Sequence, residues 1–201
     1  VRNPGESGAD VVVAEGQCLG NHMNLGGPGI GMMAAKNDLL RRMPGRVAGE
    51  ARDGEGRRGF VLTLSAREQH IRRERAVSNI CSNQGLVMVR SAIYMALMGK
   101  HGLAEQARLC WDKAHHAADL LGAIPGCRVA NRTHFKEFVL SLPLPASRLL
   151  ERLSGQGILP GFDMGRYWKE RERELLVCVT ELNSRESVER LAAAIEREVV
   201  Q

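Results

Sequence analysis

Aromatic residues and long apolar runs are scarce in this sequence. Aromatic side chains make up 4% of its 201 residues. No apolar run approaches the roughly 18 residues that a membrane-spanning helix needs. No charged segment followed by an apolar one opens the chain, as it would in a signal peptide. We therefore expect a cytoplasmic protein with no membrane partner. The chain begins at Val1 and reaches its first apolar run within a few residues, so we expect a piece of a longer protein.

Motifs for metals and disulfides are also missing. The five cysteines are odd in number and widely spaced, and no C-x-x-C occurs. This excludes the usual zinc spacing and a secreted disulfide framework, and free thiols of this kind are typically buried in a reducing cytosol. His115 and His116 are neighbours on a predicted helix and point to different sides. The sequence therefore predicts no metal site.

The composition is that of an ordinary globular protein, with 44% hydrophobic and 25% charged residues. The net charge is +5, and nearly all of the basic residues are arginines. Acidic residues are interleaved with the basic ones, so we interpret the excess as an arginine bias and predict no nucleic-acid partner.

The first third of the chain predicts strands joined by glycine-rich connections. Residues 9–14 (ADVVVA) form a short β-branched run, which favours a strand buried on both faces of a parallel sheet. A glycine-rich stretch, 16–31, separates it from a second strand at 32–35. Asn37 is predicted to cap a helix that ends before Pro44.

The next segments predict a turn, a strand and a polar stretch. Residues 52–58 contain Asp-Gly and predict a turn. Residues 60–64 (FVLTL) predict a strand, and the basic stretch 66–76 predicts a loop or a short exposed helix.

Two helices are expected to follow. Apolar residues recur three or four apart from Leu86 to Leu97, and again from Leu103 to Leu121. Gly99 is predicted to end the first helix and Gly122 the second.

The last third alternates strands and helices. Strands are predicted at 127–130, 135–142 and 175–180. Pro145 is placed in the first turn of a helix that ends at Ser154. Asn183 and Glu186 are predicted to form a capping box for the last helix.

These elements predict an α/β fold in three parts. Residues 1–80 resemble the end of a parallel α/β domain, residues 81–122 form a pair of connecting helices, and residues 123–201 form a small α+β domain.

Few residues suggest chemistry by themselves. The glycine-rich stretch has neither the P-loop order nor the dinucleotide-binding spacing, so we interpret its glycines as turn residues. Residues 67–75 (REQHIRRER) form the strongest charge cluster. It has no aromatic neighbours for stacking on bases, and a solvated face is therefore favoured over a polyanion- or nucleic-acid-binding module.

Three long motifs point to a known family. They are GGPGIGMMAAKNDLLRRMPGRVAGE, RRGFVLTLSAREQHIRRERAVSNICSNQ and GFDMGRYW…LLVCVTEL. In this order they closely resemble subunit 1 of the two-subunit glycine decarboxylases, the P-protein family of the glycine cleavage system, over its C-terminal half. The resemblance implies a partial fold-type-I transferase-like large domain, of the kind that uses pyridoxal phosphate (PLP), and a small C-terminal α+β domain.

The resemblance also implies a division of labour. Such a complex decarboxylates glycine and transfers the aminomethyl group to the lipoylated H-protein, and subunit 2 carries the PLP. In subunit 2 the Schiff-base lysine precedes a similar Gly-Pro loop, and Gln17 occupies the matching position here. An amide cannot form a Schiff base. The resemblance therefore implies that this chain holds no PLP covalently and contributes no catalytic residue.

What remains for the chain is to shape the interface with subunit 2. The arginines of the 67–75 segment are predicted to contact subunit 2, because guanidinium forks suit carboxylate and phosphate partners. The alternative is that they only fix their own loop and the start of the long helix. We also expect self-association through the edge of strand 9–14. The interface candidates are Gly26, Gly27, Pro28, Arg67, His70, Arg72, Arg73, Ser78 and Asn79.

Overall fold

The computed structural model describes residues 2–23, 25–76 and 84–200. The chain divides into two compact units, Val1–Gly99 (unit 1) and Lys100–Gln201 (unit 2). The division falls inside the predicted connecting segment, so that one of its two helices belongs to each unit. The boundaries proposed at 80 and 122 stay a prediction.

Unit 1 contains two antiparallel hairpins. Strand β1 (Val11–Glu15) pairs with β2 (Gly31–Ala35), and β3 (Val47–Arg52) pairs with β4 (Arg58–Thr63). The predicted turn at 52–58 is confirmed. It is held by the Asp53 carboxylate, which accepts hydrogen bonds from the backbone N–H groups of Glu55 and Arg57, each at 2.9 Å.

The prediction of a parallel, doubly buried strand at 9–14 is wrong. β1 is antiparallel to β2, and four of its five residues are exposed in the described chain. The β-branched residues favour a strand, but the glycine-rich connection after it determines which strand it pairs with. The glycine-rich stretch turns the chain back onto β1 instead of carrying it across a sheet.

The prediction for Asn37 is also wrong. A short 3-10 helix (Asn37–Arg42) begins at Asn37 itself, and the preceding Lys36 makes no side-chain cap. The stretch 66–76 is, as predicted, a series of short turns: Ser65–Arg67 and Arg73–Arg75 are 3-10 turns and Gln69–Arg72 is a single α-turn. Further 3-10 turns lie at Pro4–Ser7, Met164–Arg166 and Lys169–Arg171.

Helix α1 (Gly85–Gly122) is interrupted at Gly99, whose φ of 60° and ψ of −178° leave the helical region. This confirms the predicted break. The apolar stripe of the part before Gly99 is exposed: Leu86 is 84% and Leu97 83% accessible.

Unit 2 is a four-stranded antiparallel sheet with helices. Its elements are β5 (Arg128–Val129), β6 (Glu137–Ser141), α2 (Ala146–Ser154), β7 (Phe162–Asp163), β8 (Glu174–Cys178) and α3 (Arg185–Val200). The strand order is β5-β6-β8-β7. Helix α2 ends at Ser154, as predicted, and Gly155 caps it. Pro145 is the N-cap and so precedes the first turn, in which it was predicted to lie.

The apolar core lies in unit 2. It joins the second part of α1, the sheet, α2 and α3, and its fully buried members include Leu121, Phe138, Leu149 and Ile195. The cap of α3 differs from the prediction: Ser184 Oγ accepts the N–H of Ser187 at 3.1 Å. Asn183 instead accepts the backbone N–H of Thr180 at 2.8 Å, which closes the turn before the helix.

The core location makes a quantitative prediction. Leu149→Ala, at a position with no accessible surface, is expected to lower the free energy of unfolding by about 2–5 kcal/mol because it leaves a cavity. Leu159→Ala, at a position that is 84% exposed, is expected to change it by no more than about 0.5 kcal/mol. Urea unfolding of both variants measures the difference, and equal losses would contradict this core assignment.

Candidate functional site

The loop that follows β1 carries Gln17, which the resemblance predicts to match the Schiff-base lysine. The N–H of Gly16 donates to Ile30 O at 2.7 Å, and the N–H of Asn21 donates to Gln17 O at 3.0 Å. The N–H of Gln17 donates to a carboxylate oxygen of Glu15 at 2.7 Å. Gln17 is thus held in a tight turn at the end of the hairpin.

This loop is fastened to helix α1. Asn21 Nδ2 donates to Ser91 Oγ at 2.7 Å, and Ser91 is buried. Gly20 has φ 77°, and a Cβ there would lie 2.8 Å from the Tyr94 side chain. Both contacts fix 16–21 on the helix. The Asn21–Ser91 contact was not predictable from the sequence, because the two residues are 70 apart in the chain and neither lies in a motif.

The lysines of the chain test whether PLP can be held covalently near Gln17. Of the five lysines, Lys36 alone lies in unit 1. Its backbone N–H donates to Asp10 O, at the end of the hairpin opposite to Gln17. A strand rise of about 3.3 Å per residue puts that end roughly 20 Å away.

The ion pair of Lys36 with Asp10 also makes it a poor nucleophile for a Schiff base. Its Nζ contacts Asp10 Oδ1 at 2.5 Å, and this hydrogen bond and charge raise the pKa of Lys36 above its ordinary value. A Schiff-base nucleophile must be neutral when it attacks. The lysine of unit 1 therefore does not fit a covalently held PLP.

An open depression of about 600 Å³ lies beside the hairpin. Its lining is mainly apolar backbone and side chains, and the one charged group is the Glu15 carboxylate. A carboxylate repels a phosphate, so the depression does not fit the phosphate of PLP. Its lining residues are Val13, Ala14, Glu15, Gly29, Ile30 and Gly31.

Arg67 behaves differently from the other interface candidates. It is 8% exposed. Its guanidinium donates to Met43 O, to Gly45 O at 2.8 Å and to Leu64 O at 3.4 Å. It therefore joins the turn before β3 to the turn after β4. These contacts are those of a residue that fixes its own loop, which is the alternative to an interface role for the arginines of this segment.

The remaining candidates lie at the surface. His70, Arg72 and Arg73 are exposed on the short turns that follow Arg67. The segment 26–28 is exposed in the glycine-rich loop, where Gly26 has φ 94°. Ser78 and Asn79 lie outside the described residues. The interface role of all these residues stays a prediction.

Comparison with known proteins now decides the family. The family model described as glycine cleavage system P-protein matches residues 1–195. This chain belongs to that family.

Curated relatives in this family agree. A probable glycine dehydrogenase (decarboxylating) subunit 1 of Moorella thermoacetica is 50% identical over 193 residues, which are 96% of this chain and 44% of the relative. The protein of the same name from Solidesulfovibrio magneticus is 47% identical over 197 residues, 98% of this chain and 44% of the relative. The chain thus spans less than half the length of these relatives. Its assignment to their C-terminal half stays a prediction.

Solved structures confirm the predicted fold class. The crystal structure of a glycine decarboxylase (P-protein) in inhibitor-bound form has a TM-score of 0.89 and 39% identity, and the match covers 98% of this chain and 45% of that one. A sphingosine-1-phosphate lyase of Burkholderia pseudomallei, with a TM-score of 0.58 and 16% identity over 96% of this chain and 38% of its own, shares the fold alone. This P-protein chain therefore has part of the fold-type-I architecture of PLP enzymes.

In the described part of this P-protein chain, no helix combines the length and the apolar run that a membrane span requires. Within the same residues, no group of three histidine, cysteine, aspartate or glutamate side chains is placed to hold a metal ion.

The Arg67 contacts lead to a prediction. Arg67→Lys loses the fork that reaches three carbonyls, and a buried acceptor left without its donor costs about 1–3 kcal/mol. We expect amide exchange in residues 64–68 to accelerate by about tenfold or more, as local opening becomes easier. Arg72→Lys, at an exposed position, is the matched control and is expected to leave exchange unchanged. Equal exchange in the two variants would contradict the assignment.

Unit 2 of the P-protein chain carries a row of four neighbouring rings, of which the first two pairs are stacked and the third is tilted. The ring centroids of Trp111 and His115 are 3.9 Å apart, those of His115 and His134 4.1 Å, and those of His134 and Phe138 5.3 Å. Both ring nitrogens of His134 are buried and have no hydrogen-bond partner in the described residues. Burial first, and then the neighbouring His115, lower the pKa of His134, while Asp119 acts in the opposite direction.

The lowered pKa of His134 makes the stability depend on pH. The unfolded chain binds a proton at His134 more tightly than the folded chain does. The contribution of neutral His134 to the free energy of unfolding is therefore complete above the ordinary histidine pKa of about 6.5, and it is lost as the pH falls through the lower pKa of the folded state. His134→Phe keeps the ring but not the titration. Urea unfolding between pH 7.5 and 5 is expected to show a smaller loss of stability in His134→Phe than in the wild type. His101→Phe, at an exposed position, is expected to keep the wild-type dependence of the free energy of unfolding on pH. If His101→Phe removed that dependence, the assignment to His134 would be contradicted.

Proposed function

We propose that this chain is part of the subunit of glycine dehydrogenase (decarboxylating) that does not bear the cofactor, and that it shapes the interface with the PLP-bearing subunit 2. The observation that carries the proposal is Gln17. A side-chain amide stands at the position that the resemblance predicts to match the Schiff-base lysine, in a chain 50% identical to a probable subunit 1. The nearest lysine in sequence, Lys36, is at the other end of the hairpin and paired with Asp10.

The chemistry follows from this arrangement. PLP acts as an electron sink for glycine decarboxylation when it is bound, and the proposal assigns that binding to subunit 2. The residues of this chain are assigned no covalent or proton-transfer step. Their work is to hold a rigid loop, fixed by the Asn21–Ser91 hydrogen bond, where the two subunits meet. Transfer of the aminomethyl group to the lipoylated H-protein is proposed for the whole assembly.

The exposed cations of the 67–75 segment are the contact that we propose for subunit 2. Arg67 is buried and bonded to Gly45 O at the start of the segment, and His70, Arg72 and Arg73 are exposed. Guanidinium forks bind carboxylates in two-point contacts. The complementary surface on subunit 2 is therefore proposed to be acidic.

A binding measurement tests the interface. Isothermal titration of the chain with PLP-loaded subunit 2 is expected to give a complex, and the double variant Arg72→Glu, Arg73→Glu is expected to weaken it about tenfold or more, since two favourable charges become repulsive. Arg190→Glu, on an exposed position of α3, is the matched control. Affinity that is unchanged in the double variant, or lowered equally in the control, would contradict the proposed contact.

Mass spectrometry tests whether this chain holds PLP covalently. The purified chain is mixed with PLP, reduced with borohydride and analysed by mass. No stable PLP adduct at a single lysine is expected. A stoichiometric adduct that one lysine substitution abolishes would overturn the proposal.

The alternative function, polyanion binding through 67–75, is separated by salt. Binding to single-stranded RNA that weakens steeply as salt rises would favour it. The burial of Arg67 removes one cation from that surface, and no specific observation supports the alternative.

A further inference from the structure

The loop that joins β5 to β6 in unit 2 is tied to the sheet at both of its ends. At its start, the N–H of Val139 donates to Asn131 Oδ1 at 2.8 Å. At its end, Lys136 O accepts the N–H of Val179 at 2.9 Å. Residues 132–135, which lie between these two ties, make no hydrogen bond to helix α1 among the residues that the structure describes. We call residues 132–135 the ring loop, and contacts of another kind hold it on the helix.

His134 of the ring loop places its side chain against both α1 and β6. Its ring stacks on that of His115 in α1, with centroids 4.1 Å and planes 15° apart, and its centroid lies 5.3 Å from that of Phe138 in β6. Aromatic rings at these separations attract each other. The ring contacts of His134 therefore hold the ring loop against the helix.

The His115 ring is fixed to its own helix and does not depend on the ring loop for its position. Its Nδ1 lies 2.8 Å from the backbone oxygen of Trp111, one turn earlier in α1. A carbonyl oxygen only accepts hydrogen bonds, so this ring nitrogen is the donor. The Trp111 and His115 rings are also stacked, with centroids 3.9 Å apart. The part that is free to move away from this contact is therefore the ring loop and not His115.

The environment of His134 suits a neutral ring and not a charged one. Both of its ring nitrogens are buried and have no hydrogen-bond partner among the described residues. A neutral imidazole carries one N–H and a protonated one carries two, each of which needs an acceptor. A charge that is buried without a partner is costly, whereas water satisfies it fully. Protonation of His134 therefore favours a form of the chain in which this ring has left α1 and entered solvent.

The charged groups around His134 do not reverse this preference. Burial lowers the pKa of His134, the neighbouring His115 lowers it further, and Asp119 of the same helix acts in the opposite direction. The strand β6 presents an uncharged ring to His134. The cations of the connection itself, Arg132 and Lys136, stand two residues to either side of His134 in the chain. Asp119 thus moderates the preference of this position for a neutral ring.

We propose that His134 is a proton-operated latch: the neutral ring holds the ring loop on helix α1, and the protonated ring releases the loop into solvent while the sheet of unit 2 stays folded. Release uncovers the faces of the His115 and Phe138 rings that His134 contacts. This inference concerns unit 2 alone and does not depend on the proposed role toward subunit 2.

The size of the effect follows from the two protonation equilibria. In the released form His134 is in water and has the ordinary histidine pKa of about 6.5. In the closed form its pKa is lower, so the released form gains the proton first as the pH falls. Between pH 7.5 and 5 the ratio of released to closed chains rises by at most about 30-fold, and by less to the extent that the closed form also takes up the proton.

Nuclear magnetic resonance on the isotopically labelled chain tests the latch at pH 7.5 and pH 5. Nuclear Overhauser effects from the His134 ring to the His115 and Phe138 rings report the closed form. Saturation-transfer and relaxation-dispersion measurements on the ring-loop amides report a released form down to a population of about 1%. We expect the closed form to dominate at pH 7.5 and the ratio of released to closed chains to rise at least about fivefold at pH 5. Amide protection in β6 and β8 is expected to stay unchanged.

Substitutions of His134 separate the ring from the proton. His134→Phe keeps a ring and cannot titrate, so the ring loop is expected to stay closed at both pH values. His134→Gln has neither the ring nor the titration, and the loop is expected to be released to the same extent at both pH values. His101→Phe, at an exposed position of α1, is the matched control and is expected to behave as the wild type. Retained protection of the β6 and β8 amides checks that each variant is folded.

The two ionisable neighbours are expected to act in opposite directions. Asp119→Asn removes the carboxylate that favours protonation of the closed form, so the rise in released chains between pH 7.5 and 5 is expected to be larger than in the wild type. His115→Phe keeps a ring for stacking and removes a group that opposes protonation of the closed form, so this rise is expected to be smaller.

Three results would overturn the latch. The first is a released form that stays below about 1% at pH 5, because a loop that remains closed in nearly every molecule is not a switch. The second is a rise in released chains that is as large in His134→Phe as in the wild type, since another group would then be the sensor. The third is a loss of amide protection in β6 and β8 that runs parallel to the release, which would be unfolding of unit 2 by acid. Subunit 2 is absent from these measurements, so their outcome is independent of the proposed interface.

Discussion

The apolar core is the constraint on which the fold of unit 2 depends. The second part of α1 supplies Ala117 and Leu121 to it, and the sheet and the two later helices close it. Burying a leucine or phenylalanine contributes about 1.5–3 kcal/mol, and this core contains many such side chains. Unit 2 therefore has the ordinary source of stability of a small domain.

Unit 1 is organised by polar contacts instead. Arg67 joins two turns, Asn21 bonds to Ser91, and Asp53 closes a hairpin. The net contribution of a hydrogen bond is only about 1 kcal/mol, because water competes for both partners. Such contacts specify a conformation well but do not replace a core. The polar contacts thus set the shape of the described part of unit 1.

The local pattern of the sequence predicted most elements. Gly99 was predicted to end a helix, and it interrupts α1. The predicted Asp-Gly turn at 52–58 joins β3 to β4. Strand β3 was missed because VAGEAR contains a glycine and two charges and has no apolar alternation. Its pairing with the apolar β4, and not its own composition, makes it a strand.

Tertiary neighbours were not predictable. The run ADVVVA has the composition of a buried parallel strand, yet its partner is the antiparallel β2. A single sequence gives the propensity of a segment but not the element that covers it. Arg67 illustrates the same limit: among the cations of REQHIRRER its type and spacing do not distinguish it, and only the positions of the Met43 and Gly45 carbonyls show that it is structural.

For the candidate site, the sequence predicted the chemistry and the structure supplied its geometry. The residue type at position 17 already excludes a Schiff base, whatever the fold. The structure adds that the turn around Gln17 is nevertheless tightly held, by the Gly16–Ile30 and Asn21–Ser91 hydrogen bonds and by the close approach of Gly20 to Tyr94. The proposed interface role gives this order a function. That order is explained if the loop serves as a fixed surface against which another polypeptide packs, since a contact made by a preorganised loop avoids the entropic cost of ordering it on binding.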